Sequence, residues 1–223
     1  MEKLIEQFNE WSYFNSLAPM LYGFKLNIEK KQNGTQYCFF SYSNEQLDKS
    51  FLVSYDSATK EFIARWRHGL IEFCDVNFIA PDLAALEKIL IRRLDDTLRS
   101  VAQFEEAALG SVFLGKKIIE WPYASVLASV IHGFSLVKDP RRPLKGINGS
   151  YIIIDYSDFS ANTNLLIYYN IYRDEFYGEI IFRGTPEMTT LFDADTLPVL
   201  EDKLNNHLQE VLADLRQRID TTL

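Results

Sequence analysis

The chain has 223 residues, of which 47% are hydrophobic and 14% aromatic, and this composition excludes a disordered polypeptide. Its 23 basic and 31 acidic side chains give a net charge of −8, which repels nucleic acid and anionic membrane surfaces at long range. We therefore expect one large or two small globular domains, with nucleic acid and membrane as the least suitable partners.

The cysteines and the first residues bear on the cellular compartment. Cys38 and Cys74 lie in hydrophobic runs at a spacing that matches no metal-binding pattern, so they are expected to be buried free thiols. Free thiols are typical of a reducing compartment. The opening residues MEKLIEQF contain acids and no long apolar core, unlike a secretory signal or a membrane span. These features predict a cytoplasmic protein.

An internal duplication is the strongest pattern in the sequence. Residues 10–26 read EWSYFNSLAPMLYGFKL and residues 120–136 read EWPYASVLASVIHGFSL, with eight identities in seventeen positions at an offset of 110. The match resumes at an offset of 114, where Tyr37 aligns with Tyr151, because the second copy has a longer loop. Such a long period indicates duplication of a whole small domain. We predict a repeat at 1–109, a linker at 110–117 and a second repeat at 118–223.

Each repeat is predicted to contain a short helix, four or five antiparallel strands and a long helix. In the second repeat, apolar residues at helical spacing predict the short helix at 120–131, ending before Gly133. The strands are expected at 133–138, 150–157, 164–173 and 175–183, with a weaker candidate at 189–193. Asp195 and, in the first repeat, Asp82 are expected to cap long helices that each bury a leucine stripe. The fold class is α+β, with the two copies packed as a pseudo-two-fold.

Tight hairpins are expected at Asn33-Gly34 and Asn148-Gly149, which lie between strand candidates. Asn and Gly tolerate the positive φ angles that such turns require. Both repeats are therefore expected to turn the chain at an equivalent place.

Strand alternation separates two faces of each predicted sheet. One face is apolar in both repeats and is expected to lie under the long helix. The opposite face, here called the outer face, carries Arg65 and Arg67 in the first repeat and Tyr168, Tyr172, Tyr177 and Glu179 in the second. Because the copies differ most in chemistry there, the outer face is predicted to recognise a partner or the other repeat. The alternative is an aromatic face without any ligand, since tyrosine favours strands.

A longer loop, KDPRRPLKGINGS at 138–150, distinguishes the second repeat. Lys138, Arg141, Arg142 and Lys145 make it basic, so it is a candidate site for phosphate or an acidic partner. A solvated charged loop stiffened by prolines is the alternative interpretation.

No complete catalytic motif is found in the sequence. Residues 110–117, GSVFLGKK, approach the phosphate-loop pattern, but Lys117 stands where Ser or Thr should hold magnesium. The three histidines lack metal-ligand spacing. Asp155 and Asp158 could pair with Glu179 in acid–base chemistry, but acids at strand ends usually face water. No catalytic residue, metal site or cofactor is therefore predicted.

These patterns favour a non-enzymatic cytoplasmic binding or adaptor protein that acts through protein–protein interaction. The first alternative is a small-molecule-binding protein or enzyme, in which Arg65, Arg67, Tyr168 and Glu179 converge in a cleft between the repeats. The second is a nucleic-acid binder that uses the basic loop, and it predicts binding that weakens steeply with added salt.

Overall fold

A computed structural model describes residues 2–146 and 148–221, with only the backbone described for residues 2 and 3. Contacts between residues divide the chain into a first unit that ends at Phe104 and a second unit that begins at Glu105. Each unit combines an antiparallel sheet with helices, which confirms the α+β class. The predicted number of four or five strands is wrong, since the sheets have six and seven strands.

The first unit is a six-stranded sheet in sequential strand order, followed by a long helix. Its elements are α1 (Glu2–Asn9), a 3-10 turn (Ser12–Ser16), β1 (Met20–Leu21), β2 (Phe24–Asn33), β3 (Gln36–Asn44), β4 (Lys49–Asp56), β5 (Glu61–His68), β6 (Ile71–Ala80) and α2 (Leu83–Ala102). Asp82 caps α2, as predicted, by accepting a hydrogen bond from the Ala85 N–H at 2.8 Å. The leucine stripe of α2 packs on the apolar sheet face, including Phe51 and Val53.

The second unit is a seven-stranded sheet followed by a longer helix. Its elements are a 3-10 turn (Glu106–Ala108), α3 (Ser111–Gly115), a 3-10 turn (Pro122–Ser125), β7 (Val130–Ile131), β8 (Phe134–Lys138), β9 (Leu144–Lys145), β10 (Ser150–Asp158), β11 (Thr163–Asn170), β12 (Glu175–Phe182), β13 (Thr185–Ala194) and α4 (Leu197–Thr221). The sheet order is β13-β12-β11-β10-β8-β7, and β9 pairs beside β10. The predicted leucine stripe of α4 is buried against the apolar face.

The short helix predicted at 120–131 is wrong. Only Pro122–Ser125 forms a single 3-10 turn, and Val130–Ile131 is a strand that pairs with β8. His132 and Gly133 form the two-residue turn between these strands, with φ of 47° and 85°. Two successive positive φ angles match the twist of a tight hairpin, so Gly133 closes a turn and does not end a helix.

The last strand and the last helix also differ from expectation. The weak strand candidate at 189–193 is part of the ten-residue strand β13. Thr196, not Asp195, caps α4, because its carbonyl accepts from the Leu200 N–H at 3.0 Å and its hydroxyl from the Val199 N–H at 3.4 Å. The chain therefore enters α4 one residue later than predicted.

Residues 110–117 contain α3, and they belong to the second unit. Phe113 is fully buried in the core of that unit, where its ring lies 4.3 Å from the ring of Tyr151. The Lys116 ammonium lies 2.5 Å from the Asp174 carboxylate and over the Tyr169 ring. The segment is thus anchored by an apolar contact at its middle and an ionic contact near its C-terminal end.

Equivalent hydrogen bonds recur in the two units. The Trp11 indole donates to Glu87 at 2.6 Å, and the Trp121 indole donates to Glu201 at 2.9 Å. The hydroxyl of Tyr42 donates to the Ala18 carbonyl at 2.7 Å, and that of Tyr156 donates to the Ala128 carbonyl at 2.8 Å. In each unit, the segment before the sheet is therefore bonded to the long helix through a tryptophan and to the sheet through a tyrosine.

The predicted Asn-Gly hairpins are confirmed at both places. Gly34 has φ of 57°, and Asn148 and Gly149 have φ of 53° and 72°. The first turn joins β2 to β3, and the second leads into β10. Among the described helices, none has the length and apolar character needed to cross a membrane.

Candidate functional site

The outer face of the second sheet carries two adjacent groups of polar side chains. Register places Tyr168 on β11 opposite Tyr177 on β12, and places Leu166 opposite Glu179. On the other side of β11, Leu166 lies opposite Asp155 of β10. Tyrosines thus occupy one end of this face, while acidic and amide side chains occupy its middle.

The first group, which we call the tyrosine platform, consists of Tyr168, Tyr177, Glu179 and Ser150. The two tyrosine rings stack at 4.8 Å between centroids, with only 7° between their planes. The Tyr168 hydroxyl donates to Glu179 at 2.8 Å, and the Tyr177 hydroxyl lies 3.0 Å from Ser150 Oγ. Burial raises the pKa of Tyr168, and the charge of Glu179 adds to this rise. Both rings are half-buried and are fixed at their hydroxyl ends.

The second group, which we call the polar cluster, consists of Lys138, Asp155, Ser157 and Asn164. Asp155 and Asn164 have no exposed surface, and Ser157 donates to Asp155 Oδ1 at 2.6 Å. Asp155 Oδ2 and both polar atoms of Asn164 have no hydrogen-bond partner among the described residues. Leaving such groups unpaired in the interior costs about 1–3 kcal/mol each. The cluster thus offers one carboxylate oxygen, one amide donor and one amide acceptor to a water or a small polar molecule.

Burial controls the ionisation of this cluster. It raises the pKa of Asp155 to about 6, against the opposing effects of Ser157, the nearby Asn164 amide and the Lys138 charge. The amide of Asn164 lies close enough to influence Asp155 without forming a hydrogen bond of ordinary length. Burial also lowers the pKa of Lys138, which lies opposite Asp155 in the sheet. The Asp155 carboxyl group therefore stays protonated, and neutral, up to a higher pH than the carboxyl group of a water-exposed aspartate.

The expectation that Asp155 and Asp158 face water at a strand end is wrong. Asp155 is fully buried, and Asp158 is buried against α4, where it accepts from Arg216 at 2.6 Å. Glu179 is held by Tyr168 in the platform. The three acids thus have three separate sets of partners, and within the described residues no cluster of His, Cys, Asp and Glu side chains could hold a metal ion.

The basic loop is partly neutralised by its own aspartate. Asp139 accepts from the Arg141 guanidinium at 3.0 and 2.8 Å and from the Arg141 backbone N–H at 2.8 Å. These hydrogen bonds lower the pKa of Asp139. Arg142 is exposed, whereas Lys138 points onto the outer face beside Asp155. The basic side chains therefore do not form one surface, because Lys138 lies on the outer face of the sheet while Arg141 and Arg142 are exposed in the loop.

The outer face of the first sheet has different chemistry. Arg65 donates to Ser54 at 3.2 Å and lies 3.5 Å from Glu72, while Arg67 is exposed. Cys38 and Cys74 also belong to this unit as free thiols, Cys38 buried and Cys74 half-buried. Burial raises the pKa of both thiols, so neither is activated as a nucleophile.

Tyr172 does not belong to the platform. Since β11 ends at Asn170, Tyr172 lies in the following turn, 78% exposed, with its ring beside Gly149. Asn164 was not predicted as a site residue, although alternation within the strand predicted at 164–173 places it on the face of Tyr168, four residues along. That spacing was the signal that could have indicated it.

Comparisons with known proteins give no match: no protein-family model, no curated protein and no solved structure is similar to this chain.

Proposed function

We propose that the protein is a non-enzymatic binding protein that acts through protein–protein interaction, with its contact surface on the second unit. The tyrosine platform carries this proposal. Its two rings are stacked in parallel and held at both hydroxyls, so little conformational entropy is lost when a partner packs on them. Tyrosine is also enriched at protein interfaces because it combines an apolar ring with a polar tip.

Comparison of equivalent positions supports a specialised second unit. At the offset of 114, Tyr168, Tyr177 and Glu179 correspond to Ser54, Ile63 and Arg65. Because neither Ser54 nor Ile63 is aromatic, the first unit has no stacked tyrosine pair at this place. We further propose that the units arose by duplication, supported by their recurrent tryptophan–glutamate and tyrosine–carbonyl hydrogen bonds. Their pseudo-two-fold packing and the cytoplasmic location stay predictions.

The experiment is affinity capture of partners from a lysate of the source organism, with quantitative mass spectrometry. Tyr177→Ala removes one ring of the platform, and Ile63→Ala is the matched control at the equivalent position. We expect a partner that both the wild type and the control recover, and that Tyr177→Ala recovers about tenfold less, a loss of roughly 1.4 kcal/mol. Equal recovery by all three proteins, with both variants shown to be folded by circular dichroism, would contradict the proposal.

A small-molecule-binding protein or enzyme is the second candidate. The observation that favours it is the set of unpartnered buried atoms on Asp155 and Asn164, since sites for polar ligands often contain convergent groups with perturbed pKa values. Native mass spectrometry of the purified chain tests this candidate. A bound small molecule that disappears in Asn164→Leu would support it, and a chain that carries no added mass would count against it.

A further inference from the structure

A large bulge opens the edge of the second sheet. In the pairing of β12 with β13, Phe176 lies opposite Ala194 and Gly178 lies opposite Thr189, so residues 190–193 face Tyr177 alone. Within the bulge, Phe192 is fully buried in the core. Such bulges bend a strand and are common at sheet edges and beside functional sites. Here the bulge separates the two strands next to a ring of the tyrosine platform.

β13 is also an edge strand. Among the described residues it pairs only with β12, and most of its ten residues are exposed. The outward backbone N–H and C=O groups of such a strand can pair with another extended chain. Met188 is 82% exposed and Leu191 43% exposed, so side chains that pack with an added strand are present.

A groove of about 550 Å³ lies at this bulge. The apolar side chains that line it include Tyr177, Met188 and Val199, and Val199 lies in the first turn of α4. Apolar side chains of this kind, beside the outer edge of β13, fit the alternating side chains of an extended segment.

The lining of the groove is acidic. Glu175, Asp193 and Asp195 stand against Arg173 alone, a net charge of 1 − 3 = −2. Arg173 lies 2.8 Å from Glu175, which leaves the exposed Asp193 and Asp195 carboxylates to set the charge of the rim. Lys116 and Lys203 donate to the backbone carbonyls of Asp195 and Asp193. Lys116 is also paired with Asp174, so Lys203 alone changes the local charge, to −2 + 1 = −1, and the rim stays acidic. The whole chain is acidic as well, at −8, which attracts basic partners.

We infer that this groove docks an extended segment of a partner protein, in which lysine or arginine alternates with apolar side chains, and that the segment adds to β13 as a further strand. The inference rests on the proposed binding function and names the class of segment that is bound. Ile79 and Pro81 of the first unit correspond to Asp193 and Asp195. The equivalent bulge, where Phe62 faces Ala80 and Ala64 faces Asp75, therefore lacks these two carboxylates and carries Asp75 and Glu61 instead.

The test is selection of randomised peptides, each as long as β13, on the immobilised full chain. We expect the enriched sequences to alternate basic with apolar residues. Asp193→Lys/Asp195→Lys should weaken their binding at least about tenfold in fluorescence polarisation, because the rim becomes repulsive. Glu6→Lys/Glu210→Lys, an equal change of charge at two exposed acids on α1 and α4, should leave the affinity within about twofold.

Strand addition has its own control, which does not depend on folding of the variants. Methylation of alternate backbone nitrogens of an enriched peptide removes its donors and should abolish binding, since main-chain hydrogen bonds supply the affinity. Selection of no sequence or of acidic sequences, or binding that survives both the charge reversal and the methylation, would overturn the inference. If Tyr177→Ala lost the captured partner but no peptide was selected, the proposed function would stand and the groove would be excluded as the docking site.

Discussion

The indole N–H of Trp121 donates to the Glu201 carboxylate at 2.9 Å, and this bond ties the 3-10 turn before the second sheet to α4. The indole is 5% exposed and its ring stacks on Tyr123 at 5.0 Å. Trp11 and Glu87 form the same bond in the first unit. Each tryptophan thus holds the 3-10 turn that follows it against the long helix of its unit.

Trp121→Phe is expected to lower the free energy of unfolding by about 1–3 kcal/mol, because it removes buried ring surface and a hydrogen bond to a charged acceptor. Glu201→Gln keeps an acceptor and should cost under about 1 kcal/mol. Urea denaturation followed by circular dichroism measures both changes. Trp11→Phe is the matched variant, and we expect a loss of similar size. A loss confined to one unit would show that the two bonds are not energetically equivalent.

The buried tyrosine hydroxyls give a second prediction. Burial raises the pKa of both Tyr42 and Tyr156 to about 12, and each hydroxyl donates to a backbone carbonyl. Because these folded-state values lie above the ordinary value of 10.0, the stability they contribute is complete below about pH 10 and is lost as the pH rises through about 12.

Tyr42→Phe and Tyr156→Phe should each cost about 1 kcal/mol near neutral pH, since each leaves a carbonyl unpaired. The double variant should then lose stability less steeply than the wild type between about pH 10 and pH 12. Denaturant unfolding at several alkaline pH values measures the two slopes. Parallel slopes would mean that these hydroxyls ionise in the folded protein as easily as in the unfolded chain.

Features with strong local signals were predictable from the sequence. The leucine stripes identified α2 and α4, and the Asn-Gly dipeptides identified two hairpins, since both depend on neighbouring residues. The helix at 120–131 failed because His132-Gly133 is a less obvious hairpin dipeptide than Asn-Gly. The apolar spacing before it reflects residues buried in the core, such as Trp121 and Ile131, and not a helix face.

The candidate site was predictable only in part. Alternation placed Tyr168, Tyr177 and Glu179 on one face, because side chains of a strand point alternately to opposite sides. It could not show that Asp155 is buried, since burial depends on tertiary contacts. The groove was also missed, because the bulge at Tyr177 is a register shift between strands and leaves no local pattern.

Gly178 gives a prediction about that bulge. A Cβ atom at this position would lie 2.8 Å from Phe192 Cδ2 and 3.0 Å from Thr189 Cγ2, so both side chains would have to shift. Gly178→Ala is therefore expected to destabilise the protein by about 1–3 kcal/mol, despite the gain in chain stiffness. Thermal and urea unfolding measure the loss.

Ala64 provides the reciprocal control, since it occupies the corresponding position in the first unit, at the offset of 114, and belongs to the same core cluster as Phe78. Ala64→Gly should cost about 0.5–1 kcal/mol from backbone entropy, plus the loss of a buried methyl group. A neutral or stabilising Gly178→Ala would show that Phe192 has room to move and that the bulge is held by other contacts.

Asp155 gives the sharpest dependence on pH. Its pKa is about 6 when folded and 3.8 in the unfolded reference, so its contribution to stability is complete below about pH 4 and is lost as the pH rises through about 6. Asp155→Asn removes this titration, keeps an acceptor for Ser157 and brings a donor towards Asn164. At pH 7 the variant should be more stable by up to about 3 kcal/mol, and this advantage should disappear below about pH 4.

Asp158→Asn is the control with the opposite sign. Burial alone would raise the pKa of Asp158, but hydrogen bonds from Ser160, Arg216 and the Ala161 N–H outweigh burial and lower it. Its stabilisation is therefore present above pH 3.8 and lost in stronger acid, so this variant should lose about 1–3 kcal/mol at neutral pH. Urea unfolding of the three proteins from acid to neutral pH measures both differences. If the Asp155→Asn advantage stayed constant across that range, the carboxyl would not change its ionisation there, and burial would not control the polar cluster.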